Sequence, residues 1–356
     1  MDKDNDKNAT AGRPRHPDIG WIARATSMVL LILGLAATLW YLRQLVFLTF
    51  AGILIAVVIS HLAVKLRRHV PMPRLLSLGV VVGLIILAVT TLIMATGPQV
   101  VGQFDTLAQR LPDALKSLED YLNSSRIGTY MLNRIEEPEQ SGNWNALGLI
   151  TGTFSTVMNV VANIFVVIAV ALFLATNPDI YRKGAMLLVP DHMQPRTNRF
   201  LDTVSPGLFH WLIGQLVAMA VVAVLMALGL WWLGMPVYIA LGVIAGLTNF
   251  IPYFGPFIGG IPAMVIAFSI EPTKAFWVAL LIFLVQALEG NFITPNIQKQ
   301  ATSLPPALII VTIVGFGLLF GLLGMMFATP ILLVIVVAVH IFYIEGMLNK
   351  TAPPPQ

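Results

Sequence analysis

The chain has 356 residues, 57% hydrophobic and only 11% charged, with a formal net charge of +4. Soluble domains are nearer a quarter charged, so this composition predicts a polytopic helical membrane protein, and its few basic residues, clustered at the ends of apolar runs, read as orientation signals and not as a nucleic-acid surface. There is no cysteine, which excludes disulfides, thiolate metal sites and cysteine nucleophiles.

Residues 1–20 are polar and mixed in charge, with almost nothing to bury. They predict a disordered cytoplasmic N-terminus and not a cleavable signal peptide. Arg13, Arg15 and Arg24 precede the first apolar run and place this end in the cytoplasm. Residues 21–97 hold three predicted spans: about Ala25–Leu42, Leu45–Val64 and Leu75–Gly97. Only Arg43 and Gln44 separate the first two, which predicts a tight helical hairpin.

Residues 98–147 form the long external connection. Between Gln99 and Gly148 it carries four basic and seven acidic residues. Val100, Phe104, Leu107, Leu111, Leu115, Leu118 and Leu122 recur at three- and four-residue steps. This predicts an amphipathic helix, restarted at Pro112, lying on the membrane or its own subunit, or packing between subunits. Residues 148–176 hold a fourth span, with Gly152, Ser155, Asn159 and Asn163 on one face as interhelical contacts. Residues 177–207 predict a cytoplasmic loop.

Residues 208–345 predict a C-terminal transmembrane core with broken helices, followed by a short tail at 346–356. A fifth span covers about Leu208–Leu233, with His210 and Gln215 near its inner end in structural roles. Pro236–Phe268 is apolar but punctuated by Asn249, Pro252, Gly255, Pro256, Gly259 and Pro262. Proline removes a backbone donor and displaces a carbonyl partner, so two short helices meeting near Pro252–Pro256 are expected. Pro305–Ile344 is a second interrupted hairpin, broken by Gly315, Gly317, Gly321, Gly324 and Pro330. The whole reads as all-α, with about eight transmembrane helices and Pro/Gly-broken or re-entrant hairpins in the C-terminal half.

Paired broken segments in a polytopic protein point to a transport site. Between the two lies Gln286-Ala-Leu-Glu289-Gly-Asn291-Phe-Ile-Thr294-Pro295-Asn296, which ends an apolar run beginning at Ala275. A carboxylate in the bilayer costs roughly 2.5–3.5 kcal/mol on insertion scales. Protonating a free glutamate at pH 7 costs about 3.7 kcal/mol. These costs are similar, as a proton- or ion-coupled step requires. Glu289, Gln286, Asn291, Thr294 and Asn249 are therefore the candidate substrate- or ion-binding residues. Pro252, Gly255, Pro256, Pro295, Pro305 and Gly321 shape the backbone around them. Each polar candidate has a structural alternative: Glu289 can pair with Lys299, and Asn249, Asn291 and Thr294 can cap or turn a helix.

No Gly-x-Ser-x-Gly, His-Glu-x-x-His or Walker-type phosphate loop occurs, and the six histidines show no ligand spacing. No catalytic residue, metal or cofactor is expected, and the chain reads as a non-enzyme.

Two blocks carry a resemblance. One is Gly214-Gln215, Gly234-Met-Pro236 and Asn249-Phe-Ile-Pro252-Tyr-Phe-Gly255-Pro256, with Gly259 and Pro262. The other is Glu289-Gly-Asn291-Phe-Ile-Thr294-Pro295, then Leu304-Pro305-Pro306 with Gly317, Gly321, Gly324 and Pro330. Together they resemble the AI-2E family, the autoinducer-2 exporter or PerM-like permeases of bacteria, over about Ala25–Glu345. One departure is Pro305, where a histidine is expected in many relatives. The resemblance implies an inner-membrane secondary transporter, multi-pass and homo-oligomeric, with a pentamer as one expectation. Its partners would be the lipid bilayer and a small solute or Na⁺ and H⁺. Members are associated with export of autoinducer-2 in quorum sensing, others with sodium or lithium exchange for protons. A passive channel, or a non-transporting membrane assembly protein, are the alternatives.

Overall fold

The computed structural model describes residues 26–30, 33–34, 37–38, 40–124, 154–293 and 304–348, with the side chains of Leu122, 154–161, Phe292 and Ile293 excepted. Every regular element among them is helical. The chain divides into two units, Met1–Phe47 and Leu48–Gln356.

In the first unit, the Leu42 N–H donates to the Thr38 carbonyl and the Val46 N–H to the Leu42 carbonyl, at 2.9 and 3.0 Å. These are helical four-residue steps across the point where a tight hairpin was expected, so the chain does not reverse at Arg43–Gln44. The reason is local: neither residue is a glycine or proline, and both are good helix formers. The Arg43 guanidinium also lies 5.3 Å over the Trp40 ring.

The elements that follow are α1 (Arg43–His69), α2 (Arg74–Asn123), α3 (Phe154–Thr176) and α4 (Pro178–Leu187). Then come α5 (Gln194–Trp232), α6 (Tyr238–Thr248), α7 (Gly255–Ile270), α8 (Pro272–Leu288) and α9 (Pro306–Ala338). Two π turns, Glu289–Ile293 and Val339–Ile344, continue α8 and α9. Five helical stretches among the described residues are long and apolar enough to cross a bilayer. A sixth results if Ala162–Thr176 and Pro178–Leu187, bent by 86° at Asn177, are one broken span. Of the expected eight, the first, Ala25–Leu42, lies only partly within the described residues, and Tyr238–Thr248 and Gly255–Ile270 are apolar but shorter than one crossing.

α2 joins the third predicted span and the amphipathic segment into one 50-residue helix, with Pro98 and Pro112 inside it. At 1.5 Å per residue it is about 75 Å long. Leu107 and Ala114 are buried in the main core, and Phe104, Leu111 and Leu118 pack against it. The apolar stripe therefore binds its own chain, while Leu115 on the stripe's flank stays exposed.

That core is built on the approach of α6 to α5. A Cβ on Gly242 would lie 2.7 Å from the Ala227 Cβ, and one on Gly246 would lie 2.6 Å from the Ala223 Cβ. Small residues four apart on both helices let the backbones touch, which is how helices associate where lipid competes equally for apolar side chains. Gln103 of α2 fixes the start of α6: its Oε1 accepts the Ile239 and Ala240 N–H groups at 2.8 and 3.2 Å. These are orphan donors of a helix beginning, satisfied by a side chain 136 and 137 residues away.

The two expected interruptions are both reversals. α6 and α7 meet at a tip, residues 249–254, where a Cβ on Gly255 would collide with the Thr248 carbonyl. Tyr253 at this tip has φ 66°, the left-handed region that a non-glycine residue seldom adopts. The second reversal lies inside α9. Length and composition alone would let Pro306–Ile344 cross once, but Gly321 has φ 66° and ψ −147°. A Cβ on Gly317 would sit 2.8 Å from Met325 Cγ, and one on Gly324 would strike the Phe316 carbonyl. Residues eight apart in a straight helix are about 12 Å apart along its axis. Ile313 and Ala328 are likewise buried in one cluster. The chain doubles back at Gly321, and the arm Pro306–Phe320 spans only about 22 Å.

Candidate functional site

The tip of the α6–α7 reversal meets the second hairpin. Ile251 and Phe254 pack with Ile313, Ala328, Ile309, Phe316, Met325 and Met326. Phe250, beside them, stacks edge-on with Trp211 of α5 at 5.9 Å and with Phe327 of α9 at 6.4 Å. Two broken pieces of backbone thus come together against α5, with aromatic rings between them. A broken helix inside a membrane protein leaves backbone groups that must find partners, and side chains supply them here.

Asn249 caps α6 and is 1% exposed. A carbonyl at a helix C-terminus has no helical partner, and the Asn249 carbonyl accepts the Gln215 Nε2–H at 2.6 Å. Its side chain turns the other way: Nδ2 donates to Glu289 Oε1 at 2.9 Å. Glu289 is 8% exposed and Gln215 5%. So α5, the α6–α7 tip and the end of α8 are tied by two buried hydrogen bonds through one asparagine. Glu289 starts the π turn that ends α8, and Gln286 lies one helical step before it.

Hydrogen bonding is incomplete. Asn249 Oδ1, Gln286 Oε1 and Glu289 Oε2 are buried and have no partner among the described residues. Trp211 Nε1 and Thr329 Oγ1 are also buried and unpartnered. Each such group costs about 1–3 kcal/mol relative to a paired one, and orphans of this kind call for a water, an ion or a ligand. The Asn249, Gln286 and Glu289 oxygens come from adjoining residues, and an amide oxygen or an ionised carboxylate accepts but cannot donate.

The structure therefore brings together three of the expected residues, Glu289, Gln286 and Asn249. Asn291 is on the same π turn but exposed. Thr294 and Pro295 lie outside the described residues, as does Lys299. Among the backbone-shaping residues, Pro256 is buried in the first turn of α7, Pro252 lies in the tip, and Pro305 is exposed at the start of α9. Among the described residues His210 bonds only to its own helix, with Nδ1 2.9 Å from the Pro206 carbonyl. Gln215, expected in a structural role, has one, holding the Asn249 carbonyl beside the site; Trp211 one turn before it and Thr329 were not anticipated. The signal for Gln215 was an amide in an otherwise apolar span; Trp211 and Thr329 carry no such signal.

The sequence profile of the AI-2E family transporter matches residues 28–344. YrrI of Bacillus subtilis, provisionally named a transport protein, is 28% identical over 293 residues, 79% of this chain and 83% of its own. YueF of the same organism, also so named, is 28% identical over 277 residues, 74% and 75% of the two chains. The AI-2 transport protein TqsA of Escherichia coli is 24% identical over 303 residues, 81% and 83% of the two chains. This multi-pass helical membrane protein belongs to the AI-2E family of transporters.

Proposed function

We propose that the protein expels a small solute, of the autoinducer-2-like signalling class, or Na⁺ or Li⁺, in exchange for protons. The observation that carries this is the set of three buried, unpartnered oxygens on Asn249, Gln286 and Glu289. A site lined by acceptors suits a cation or the hydroxyls of a neutral solute and repels an anion. Glu289 is the group for which proton and substrate compete. Asn249 holds one of its oxygens, leaving the other for the exchange. One proton crossing 100 mV and one pH unit supplies about 3.7 kcal/mol, enough for a gradient of about 500-fold.

In the same proposal the protein resides in a bacterial inner membrane as a homo-oligomer, N-terminus in the cytoplasm, with no enzymatic step. The test is uptake into inverted vesicles, with Na⁺, Li⁺ and autoinducer-2 each offered under an imposed pH gradient. Glu289→Gln keeps an acceptor for the Asn249 amide but cannot titrate, and is expected to abolish proton-coupled flux. Wild-type coupled flux in that variant would overturn the proposal. Flux without saturation or proton dependence in the wild type would mark a passive channel.

A further inference from the structure

At the opposite end of α8, about 26 Å from Glu289 at 1.5 Å per residue, lies a cleft of about 450 Å³. Trp232, Leu233, Glu271, Thr273, Lys274 and Trp277 line it. Its two charges are opposite and three residues apart in sequence, yet within the described residues neither forms an ion pair. The two indoles are large apolar surfaces left open, Trp232 being 83% exposed and Trp277 49%. Indole faces attract ammonium groups, a carboxylate completes such a site, and a lysine is a point-charge partner for phosphate.

We infer that this cleft binds a zwitterionic phosphodiester headgroup, its ammonium held by Glu271 and the faces of Trp232 and Trp277 and its phosphate by Lys274. The shared chemistry is an ammonium joined to a phosphate, and it has two sources: a phospholipid or a soluble headgroup. Phospholipid is the better match. Trp231 and Phe276, adjacent in sequence to Trp232 and Trp277, are 60% and 64% exposed and offer apolar surface to acyl chains. Tryptophans are also enriched at the headgroup level of a bilayer. Neither the substrate site nor its chemistry enters this inference.

The test is native mass spectrometry of the full-length protein, delipidated in detergent. The probes are dihexanoyl-phosphatidylethanolamine and dihexanoyl-phosphatidylglycerol, which has the same chains and no ammonium. Saturable retention of the first, about tenfold tighter than the second, is expected. Trp232→Leu and Glu271→Gln, both at exposed positions, should each remove most of that preference without shifting the unfolding midpoint. Competition by tail-free glycerophosphoethanolamine would support the site with a soluble source. Competition by the lipid alone would support it with a bilayer source. Equal retention of the two lipids, or an undiminished preference in both variants, would overturn it.

Discussion

Asn249 bonds in two directions: its carbonyl accepts from Gln215 and its amide nitrogen donates to Glu289, while its amide oxygen has no partner among the described residues. Asn249→Leu removes the donor from a buried carboxylate. Hydrogen bonds to charged groups are worth about 1.5–3 kcal/mol, so a loss of about 2–3 kcal/mol is expected in denaturant unfolding of the detergent-solubilised protein. Transport is expected to fall with it. Gln215→Leu should cost less, because the carbonyl it leaves is neutral. Glu289 and Asn249 were legible in the sequence because a polar group in an apolar run is conspicuous. The link through Gln215 was not, since its partner lies 34 residues away and no local spacing encodes that meeting. Trp211 and Thr329 pass in any apolar span as packing residues, and only the folded neighbourhood shows their polar atoms stranded.

The two hairpins test differently. Because the chain has no cysteine, paired cysteines report geometry without background. Gly317→Cys with Met325→Cys is expected to form a disulfide under mild oxidation, read as a mobility shift after cleavage of an intervening engineered protease site. A straight helix would hold those positions about 12 Å apart along its axis and give no bond. The start of α6 offers a second measurement. Gln103→Leu strands the Ile239 and Ala240 donors, at about 1–3 kcal/mol each if no water replaces the side chain. Gln103→Glu keeps the acceptor and is expected to retain most of the stability in the same unfolding assay. Proline and glycine made both reversals legible, since each has a direct backbone consequence. The reversal expected at Arg43–Gln44 rested on polarity alone, and polarity does not turn a helix.

At the scale of the molecule, the proposed orientation rests on Arg13, Arg15 and Arg24 before the first apolar run. A single cysteine introduced as Asn8→Cys is expected to react with a membrane-impermeant maleimide in inverted vesicles and not in intact cells. Labelling of intact cells would reverse the assignment. The membrane class was legible from composition, but which apolar segments cross and which fold back was not. Hydropathy counts apolar length, whereas a short arm that folds back contributes length without crossing.

The long helix α2 carries a further consequence. Pro98 lacks an N–H, so the helix loses one rung of its ladder beside Gly97, where the apolar stretch ends. Beyond this joint the remaining 25 residues, about 38 Å, grip the α6–α7 core through Phe104, Leu107, Leu111, Ala114 and Leu118. Sharp bends in long helices fall at such prolines, and Pro98 is the one at the start of this gripping segment. A swing of about 5° at the joint sweeps its far end through about 3 Å, the reach of a single hydrogen bond such as the one between Asn249 and Glu289.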